Sequence, residues 1–421
     1  MVDQTNLSAC DTLKQPLLSA KEALDYLLNA APRLNRKQTV SLDDSLYCIL
    51  AKDVRSEINV PEFNNSAMDG YAISLKDNQI NKPGLLRFKI TDRITAGSSG
   101  KSLEPGCAAR IFTGAPVPDG ANTVIMQEEC DLTEDGNHIE TWKPLQLNEN
   151  IRPKGNDIQA GDIILTKGTQ LKPQDIALCA SIGIPSLEVF EKLKVGVFFT
   201  GNELVEPGHP LNTGQIYNSN RYSLIALLKQ LNCEIVNLGN IEDSLDATTQ
   251  ALSQLANTCD IVITTGGVSV GEEDHVKPAV EQLGELTLWR IKMKPGKPLA
   301  FGRIKQSFFI GLPGNPVSAM VTFCLFARPF IKKMQGASTF KNQSTDIQCD
   351  FDWPRPKPRR EFVRVQINQD TTPPTAKLYP KQGSDVLSSL TWADGLVEIP
   401  DNETFKPGDI LKYFSLLELT Q

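Results

Sequence analysis

Lys194-Val-Gly-Val-Phe-Phe199, Asp260-Ile-Val-Ile-Thr-Thr265 and Phe308-Phe-Ile-Gly-Leu312 are short apolar runs, each closed by a turn containing glycine. Between and after them lie helical patterns: RYSLIALLKQL, LDATTQALSQLA, HVKPAVEQLG and VSAMVTFCLFARPFIKKM, with EIVNLG as one further strand. Strands that read as continuous Val, Ile and Phe are buried on both faces, and the helices supply the crossovers. The pattern therefore predicts an α/β unit with a doubly wound parallel sheet over residues 192–338.

Outward from that unit the texture changes. Ser19 and Glu22 make an S-x-x-E capping box ahead of Ala23, Leu24, Leu27 and Leu28 at helical spacing. A second short helix is expected through Leu42, Leu46, Ile49 and Leu50. Residues 56–150 break into short apolar segments separated by Gly, Pro, Asn and Asp, which predicts a small β-domain. Pro173 stands where a first-turn proline belongs, ahead of Ile176, Ala177, Leu178 and Ala180. If 151–191 packs back onto 17–55, those two stretches form one discontinuous helical and strand N-terminal domain with the β-domain inserted. Residues 339–421, rich in Pro and in alternating segments such as FVRVQI, read as a C-terminal β-barrel-like domain.

Composition bounds the function. The 421 residues are 40% hydrophobic and 22% charged, which excludes a chain disordered in bulk. The net charge of −7 argues against a general nucleic-acid coat, so an anionic substrate needs a local basic patch. The 9 cysteines are odd in number and none pair at C-x-x-C spacing, which points to reduced thiols and away from zinc knuckles or disulfides. The first residues show no basic and apolar leader, and no apolar stretch approaches the ~18 residues of a membrane span. A cytoplasmic protein without membrane contact is expected.

In open α/β sheets ligands gather beyond the carboxyl ends of the strands. Four loops occupy those ends: Thr200–Glu203, Ile241–Asp243, Gly266–Asp274 and Pro313–Ser318. The loop with Gly266, Gly267, Ser269 and Gly271 suits phosphate, since glycines let backbone N–H groups approach anionic oxygens. It is neither a Walker A motif nor a G-x-G-x-x-G fingerprint. Pro313, Asn315 and Pro316 open a long helix whose start suits a second anion, the alternative being a tight corner. Glu203, Asp243 and Asp274 are the candidate ligands of a divalent cation, Mg²⁺ by preference for carboxylates plus substrate oxygens. As alternatives, Asp243 and Asp274 precede helices and could cap them. Arg290, Lys292 and Lys294 share one face of an extended segment, with Lys297 beyond a Pro-Gly turn. They make an anion trap or, alternatively, a solvated edge strand. His138, His209 and His275 show no ligand spacing, and no G-x-S-x-G elbow is present. The inventory favours metal-assisted chemistry on a phosphate-bearing substrate with no covalent intermediate.

Five motifs then occur in order: Asn65-Ser-Ala-Met-Asp-Gly-Tyr71, Phe112-Thr-Gly-Ala-Pro-Val-Pro118, Thr265-Gly-Gly-Val-Ser-Val-Gly271, Lys294-Pro-Gly-Lys-Pro298 and Gly311-Leu-Pro-Gly-Asn-Pro-Val-Ser318. Together they resemble the molybdopterin molybdenumtransferase family, which includes MoeA and the gephyrin E domain. The resemblance spans nearly the whole chain and is weakest before residue 17 and after about 340. It implies a four-domain homodimer that inserts molybdate into adenylylated molybdopterin with Mg²⁺ and releases AMP. The site would lie between the α/β domain of one subunit and the β-domain of the other. Asp69 and Thr113 would then act in trans, beside Glu203, Asp243 and Asp274 near the cation and Lys294 and Lys297 on anionic oxygens. Read without the resemblance, Asp69 is a turn residue before Gly70 and Thr113 a strand-end hydroxyl. Arg152 and Asp157, within Ile-Arg-Pro-x-Gly-x-Asp, match a further signature near the site. Arg364 and Ser384 would face the molybdate or pterin side. Arg290 stands where the bacterial relatives are expected to carry lysine, so a planar guanidinium replaces an ammonium. A transient contact with the upstream adenylyltransferase is a further partner that the resemblance leaves open. Two rival functions are that adenylyltransferase step itself, which the extra domains argue against, and a non-enzymatic gephyrin-like scaffold.

Overall fold

The apolar strands lie side by side in one six-stranded sheet, in the order Glu234–Ile241, Lys194–Thr200, Ile261–Thr265, Ser307–Leu312, Pro298–Ile304, Gly284–Arg290. The computed structural model describes residues 17–267 and 274–420. The first four strands run parallel, as a doubly wound unit requires. The last two are antiparallel additions that the sequence reading did not include. Their cause is local: only two residues, Lys305 and Gln306, separate the paired Ile304 and Ser307, and so short a link permits only a hairpin.

Both faces of the sheet are covered. Val195, Val197, Phe199, Ile261, Ile263 and Ile310 pack with Leu224, Leu228 and the helices after Pro316 on one side. Phe198, Val262 and Phe309 face Leu252, Leu255, Val276 and Val280 on the other. That alternation is the two-residue period of a strand buried twice over. The helix Ala20–Ala30 belongs to the first of these cores through Ala23 and Leu27, and Ser19 and Glu22 close its capping box. The helix Pro316–Thr322 runs on through a π-helical turn, Phe323–Ala327, into Arg328–Met334.

The helix expected through Leu42, Leu46, Ile49 and Leu50 does not form. Ser41 Oγ accepts from the Asp44 N–H at 3.2 Å, a side-chain turn that competes with helix, and Tyr47 takes φ 62°. Ile49 and Leu50 instead bridge to Gln170 and Val189.

The two arms of the chain pair in nested fashion. Lys37–Ser41 pairs with Ser186–Phe190, Val54–Arg55 with Ile163–Leu165, and Asn65–Ser66 with Ile151–Arg152, all antiparallel. Between the innermost pair lies a six-stranded β-domain with Gly70–Ile73, Cys107–Ile111 and Leu86–Ile94 among its central strands. At the other end of the chain, Arg360–Asn368, Thr375–Leu378, Thr345–Cys349, Ile410–Ser415 and Gly395–Ile399 pair in a closed ring, a small barrel. Met293–Lys294 pairs with Arg360–Glu361, so the basic segment runs out of the α/β sheet and onto the barrel. The described cysteines are all free. No helix among the described residues is long and apolar enough to cross a membrane.

Candidate active site

The carboxyl ends of the parallel strands open into a crevice of about 930 Å³. Glu203, Gly266, Lys294, Lys297, Pro313, Asn315, Ser318 and Ser384 line it. The crevice therefore joins three of the four predicted loops to the basic segment and to a loop of the barrel.

Each wall has a local cause. The turn after Lys194–Thr200 closes with the Leu204 N–H donating to the Gly201 carbonyl at 3.0 Å. Gly201 has φ 146°, and a Cβ there would lie 2.6 Å from a carboxylate oxygen of Glu203. Only glycine lets that carboxylate fold back against its own turn. Gly267, at φ 64°, leaves room for Val276, whose Cγ2 would lie 2.5 Å from an added Cβ. Asn315 donates to Ser384 Oγ at 3.1 Å, and the Val317 N–H donates to the Ser384 carbonyl, so the barrel loop is stitched to the start of the helix at Pro316.

The cations are held partly by the barrel. Lys294 Nζ lies 3.7 Å from Glu361, whose buried carboxylate also meets Lys357 at 3.0 Å. Lys292 pairs with Asp401 at 2.7 Å. Lys294 and Lys297 face the crevice; Arg290, opposite Pro298 at the sheet edge, is not among its lining residues.

The acidic candidates divide. Glu203 is in the crevice wall. Asp243 lies behind Thr200, accepting its hydroxyl at 2.7 Å, and Asp274 accepts the Val276 N–H at 3.2 Å from one residue outside the N-cap position, which His275 occupies. Ser244, not Asp243, caps the helix Leu245–Ala256. Among the described residues no group of three His, Cys, Asp or Glu side chains could hold a metal, so the three-carboxylate set is not assembled there. Mg²⁺ commonly takes one or two carboxylates and completes its shell with water and phosphate oxygens. Glu203 at the crevice wall fits that looser mode. Ser269 and Gly271 lie outside the described residues.

Arg364 does not line the crevice. It is 1% exposed, donating from Nε to Ser389 Oγ at 3.0 Å and from a terminal nitrogen to the Gly383 carbonyl at 2.9 Å. Burial pulls its guanidinium down to about 10. Its geometry makes it a positioning residue that anchors the loop carrying Ser384.

Asp69, Thr113, Arg152 and Asp157 are all exposed or half-exposed on the β-domain and its return arm, and none lines the crevice of its own chain. Asp69 Oδ1 accepts both the N–H and the hydroxyl of Thr113 at 2.8 Å. Those bonds hold the carboxyl below its ordinary value. Beside them Arg110 stacks over Tyr71 and Phe112, and Arg93 over the same Phe112. Arg152 pairs opposite Asn65, and the Asp157 N–H donates to the Val60 carbonyl at 2.9 Å.

Sequence reasoning missed Asn220, Arg359 and Asp385. Asn220 donates to the Gly314 carbonyl at 2.6 Å and to Thr265 Oγ1 at 3.3 Å, binding two strand-end loops together. Its signal was visible: Asn218-Ser-Asn220 directly precedes an apolar helical run, and Asn218 caps that helix.

Comparison with known proteins follows the same division of the chain. Residues 18–183 match the MoeA N-terminal region (domain I and II), 196–333 a probable molybdopterin binding domain, and 346–416 the MoeA C-terminal region (domain IV). A molybdopterin molybdenumtransferase of Haemophilus influenzae is 43% identical over 326 residues, covering 77% of this chain and 80% of that protein. One from Staphylococcus aureus (strain COL) is 32% identical over 399 residues, 94% of each. A crystal structure of the molybdopterin biosynthesis MoeA protein from Pyrococcus horikoshii superposes with a TM-score of 0.81 at 29% identity, over 95% of this chain and 100% of the other.

Proposed function

The chain belongs to the MoeA family, a transferase family of molybdenum cofactor biosynthesis, and we propose that its crevice binds adenylylated molybdopterin, inserts molybdate into the dithiolene and releases AMP. The observation that carries this reading is the crevice itself. It sets Glu203, two lysines, a glycine turn and Ser384 around one space of nucleotide size.

The chain's residues divide the work as follows. Lys294 and Lys297 hold the anionic oxygens of the phosphoanhydride, and Lys294 is kept in place by Glu361 of the barrel. The Gly266 N–H donates to the Leu312 carbonyl, which fixes the turn at the crevice floor. Asn220 locks the Thr265 and Gly314 loops, so the cleft is preformed and little reorganisation accompanies reaction. Glu203, together with substrate oxygens, would hold Mg²⁺, which supplies charge neutralisation at the phosphates. Cleavage of the P–O–P bridge needs a water or molybdate oxygen as the attacking group. Asp69 and Thr113 are absent from the crevice of their own chain, and this favours a homodimer in which a partner's β-domain completes the site. Reduced cysteines and the lack of a spanning helix among the described residues support a cytoplasmic setting.

The test is AMP release from purified adenylylated molybdopterin, with and without molybdate and Mg²⁺, with cofactor scored by reactivation of an apo-molybdoenzyme. Molybdate-dependent AMP release with active cofactor is the expected result. No AMP release, with adenylylation of free molybdopterin when ATP is supplied, would move the activity one step earlier.

A further inference from the structure

A second cavity, of about 500 Å³, lies away from the crevice where three parts of the chain meet. Its walls are the turn at Tyr47, the helix start at Lys172, the helix Arg328–Met334, the segment 339–343 and the final helix at Glu418. Four cations line it, Lys172, Arg328, Lys332 and Lys341, against the single carboxylate of Glu418. On a chain of net charge −7 this concentration of positive side chains is local.

Lys332 is the decisive residue. It is 9% exposed, yet among the described residues it has neither a hydrogen-bond acceptor nor an acid beside it. Desolvation, then Arg328 and Lys172, depress its ammonium to about 8. An isolated buried ammonium is costly, and the usual remedy is a paired acid. Here its nearest charged neighbours are also cations. Arg328, 8% exposed, donates to Asn342 Oδ1 at 2.9 Å, and Asn342 in turn donates to the Cys324 carbonyl of the π-helical turn. Arg328 and Lys332 are four residues apart and so share one helical face, which the turn and the 339–343 segment hold toward the cavity. At the rim Tyr47, half-exposed, holds φ 62°, an outlying backbone for a bulky side chain.

We propose that this cavity is a second anion-binding site, distinct from the crevice, which takes a phosphate-bearing small molecule with Lys332 as its central ligand. The phosphate sits between Lys332 and Arg328, where charge-assisted hydrogen bonds replace the missing acid. The exposed Tyr47 ring offers a stacking face for a planar ring on the same molecule, so a nucleotide and inorganic phosphate share the chemistry and differ at Tyr47.

The experiment is isothermal titration of the full-length protein, first with inorganic phosphate and then with AMP. It is run in a Lys297→Ala background, which weakens the crevice. One phosphate per chain is expected to remain bound in that background. Adding Lys332→Met should weaken it about tenfold or more and, by removing a buried unpaired charge, raise the melting temperature in phosphate-free buffer. If phosphate affinity is unchanged by Lys332→Met, or if no phosphate binds in the Lys297→Ala background, the proposal is wrong. Should Lys332→Met fail to fold, the exposed pair Lys172→Ala and Lys341→Ala gives the same reading, with weaker binding expected and unchanged binding overturning it. AMP binding more tightly than phosphate, with the difference lost in Tyr47→Ala, identifies a nucleotide; equal binding identifies phosphate alone.

Discussion

The crevice and the tip of the β-domain both place polar side chains in tight turns, and they differ in kind. The crevice is concave and draws acid, cations and glycines from several elements into one space. At the tip, Asp69 and Thr113 satisfy one another on an exposed turn. The crevice is a pocket made by the fold itself. The tip is an exposed surface, and under the function proposed above it meets the crevice of a second subunit.

The largest effect expected from breaking that comparison is on turnover. Glu203→Ala and Asp69→Ala should each lower AMP release by about 10²–10³-fold, the scale of losing one preorganised electrostatic group. Coexpressed, the two variants form mixed dimers in which one of the two shared sites is intact, restoring about a quarter of wild-type activity overall. Folded, dimeric mixtures with no recovery would falsify the sharing of the site. Arg364→Ala comes next, with about 2–4 kcal/mol of stability lost through packing and orphaned acceptors. A raised KM at largely kept kcat would mark it as a positioning residue, and a loss confined to kcat would contradict that role. Glu361→Gln is smaller: its partner Lys294 is more than a third exposed, so the pair is screened and about 1 kcal/mol or less is expected in thermal melts.

The smallest effect is local. The Asp69 carboxyl is depressed in the folded chain, so its support for the tip turn is complete above the ordinary carboxylate range and is lost as pH falls through the lowered value. Amide exchange at Thr113, taken relative to its intrinsic rate, should accelerate on acidification while that of the buried Ala72 stays protected. Equal protection at acid pH would show that the turn does not depend on the carboxylate.

How far the sequence carried depended on whether a signal was local. Continuous apolar strands at 194, 261 and 308 located the sheet, and the rule that ligands gather beyond the carboxyl ends of parallel strands put Glu203, Gly266 and Asn315 at one edge, where they stand. The antiparallel edge strands were not read because their apolar residues sit within a segment dominated visually by Arg290, Lys292 and Lys294. The closing of Arg360–Asn368 onto Gly395–Ile399 is a pairing across distance, and no local pattern encodes it. Arg364 illustrates the limit for sites. The family resemblance put it on the molybdate or pterin side, whereas burial and two side-chain hydrogen bonds place it behind the crevice wall, against the loop that carries Ser384. Lys332 had no sequence signal, since a lysine beside another lysine at a helix end reads as solvated.

The nested pairing of the arms also sets an order of assembly. Lys37 must find Phe190 across the whole β-domain, and closing so long a loop from an unfolded chain carries an entropic cost before any contact repays it. If the stretch between Ser66 and Ile151 collapses first, the remaining free chain is short on either side. Pairing can then zip outward, from Ser66 opposite Ile151, through Val54 and Leu165, to Lys37 and Phe190 last. The inserted domain thus serves as the hairpin turn of a much larger hairpin: it touches only the innermost pair, where the Ser66 N–H donates to the Ala115 carbonyl and Ile151 packs on its core, and a cut within it would slow the joining of the outer pairs as well.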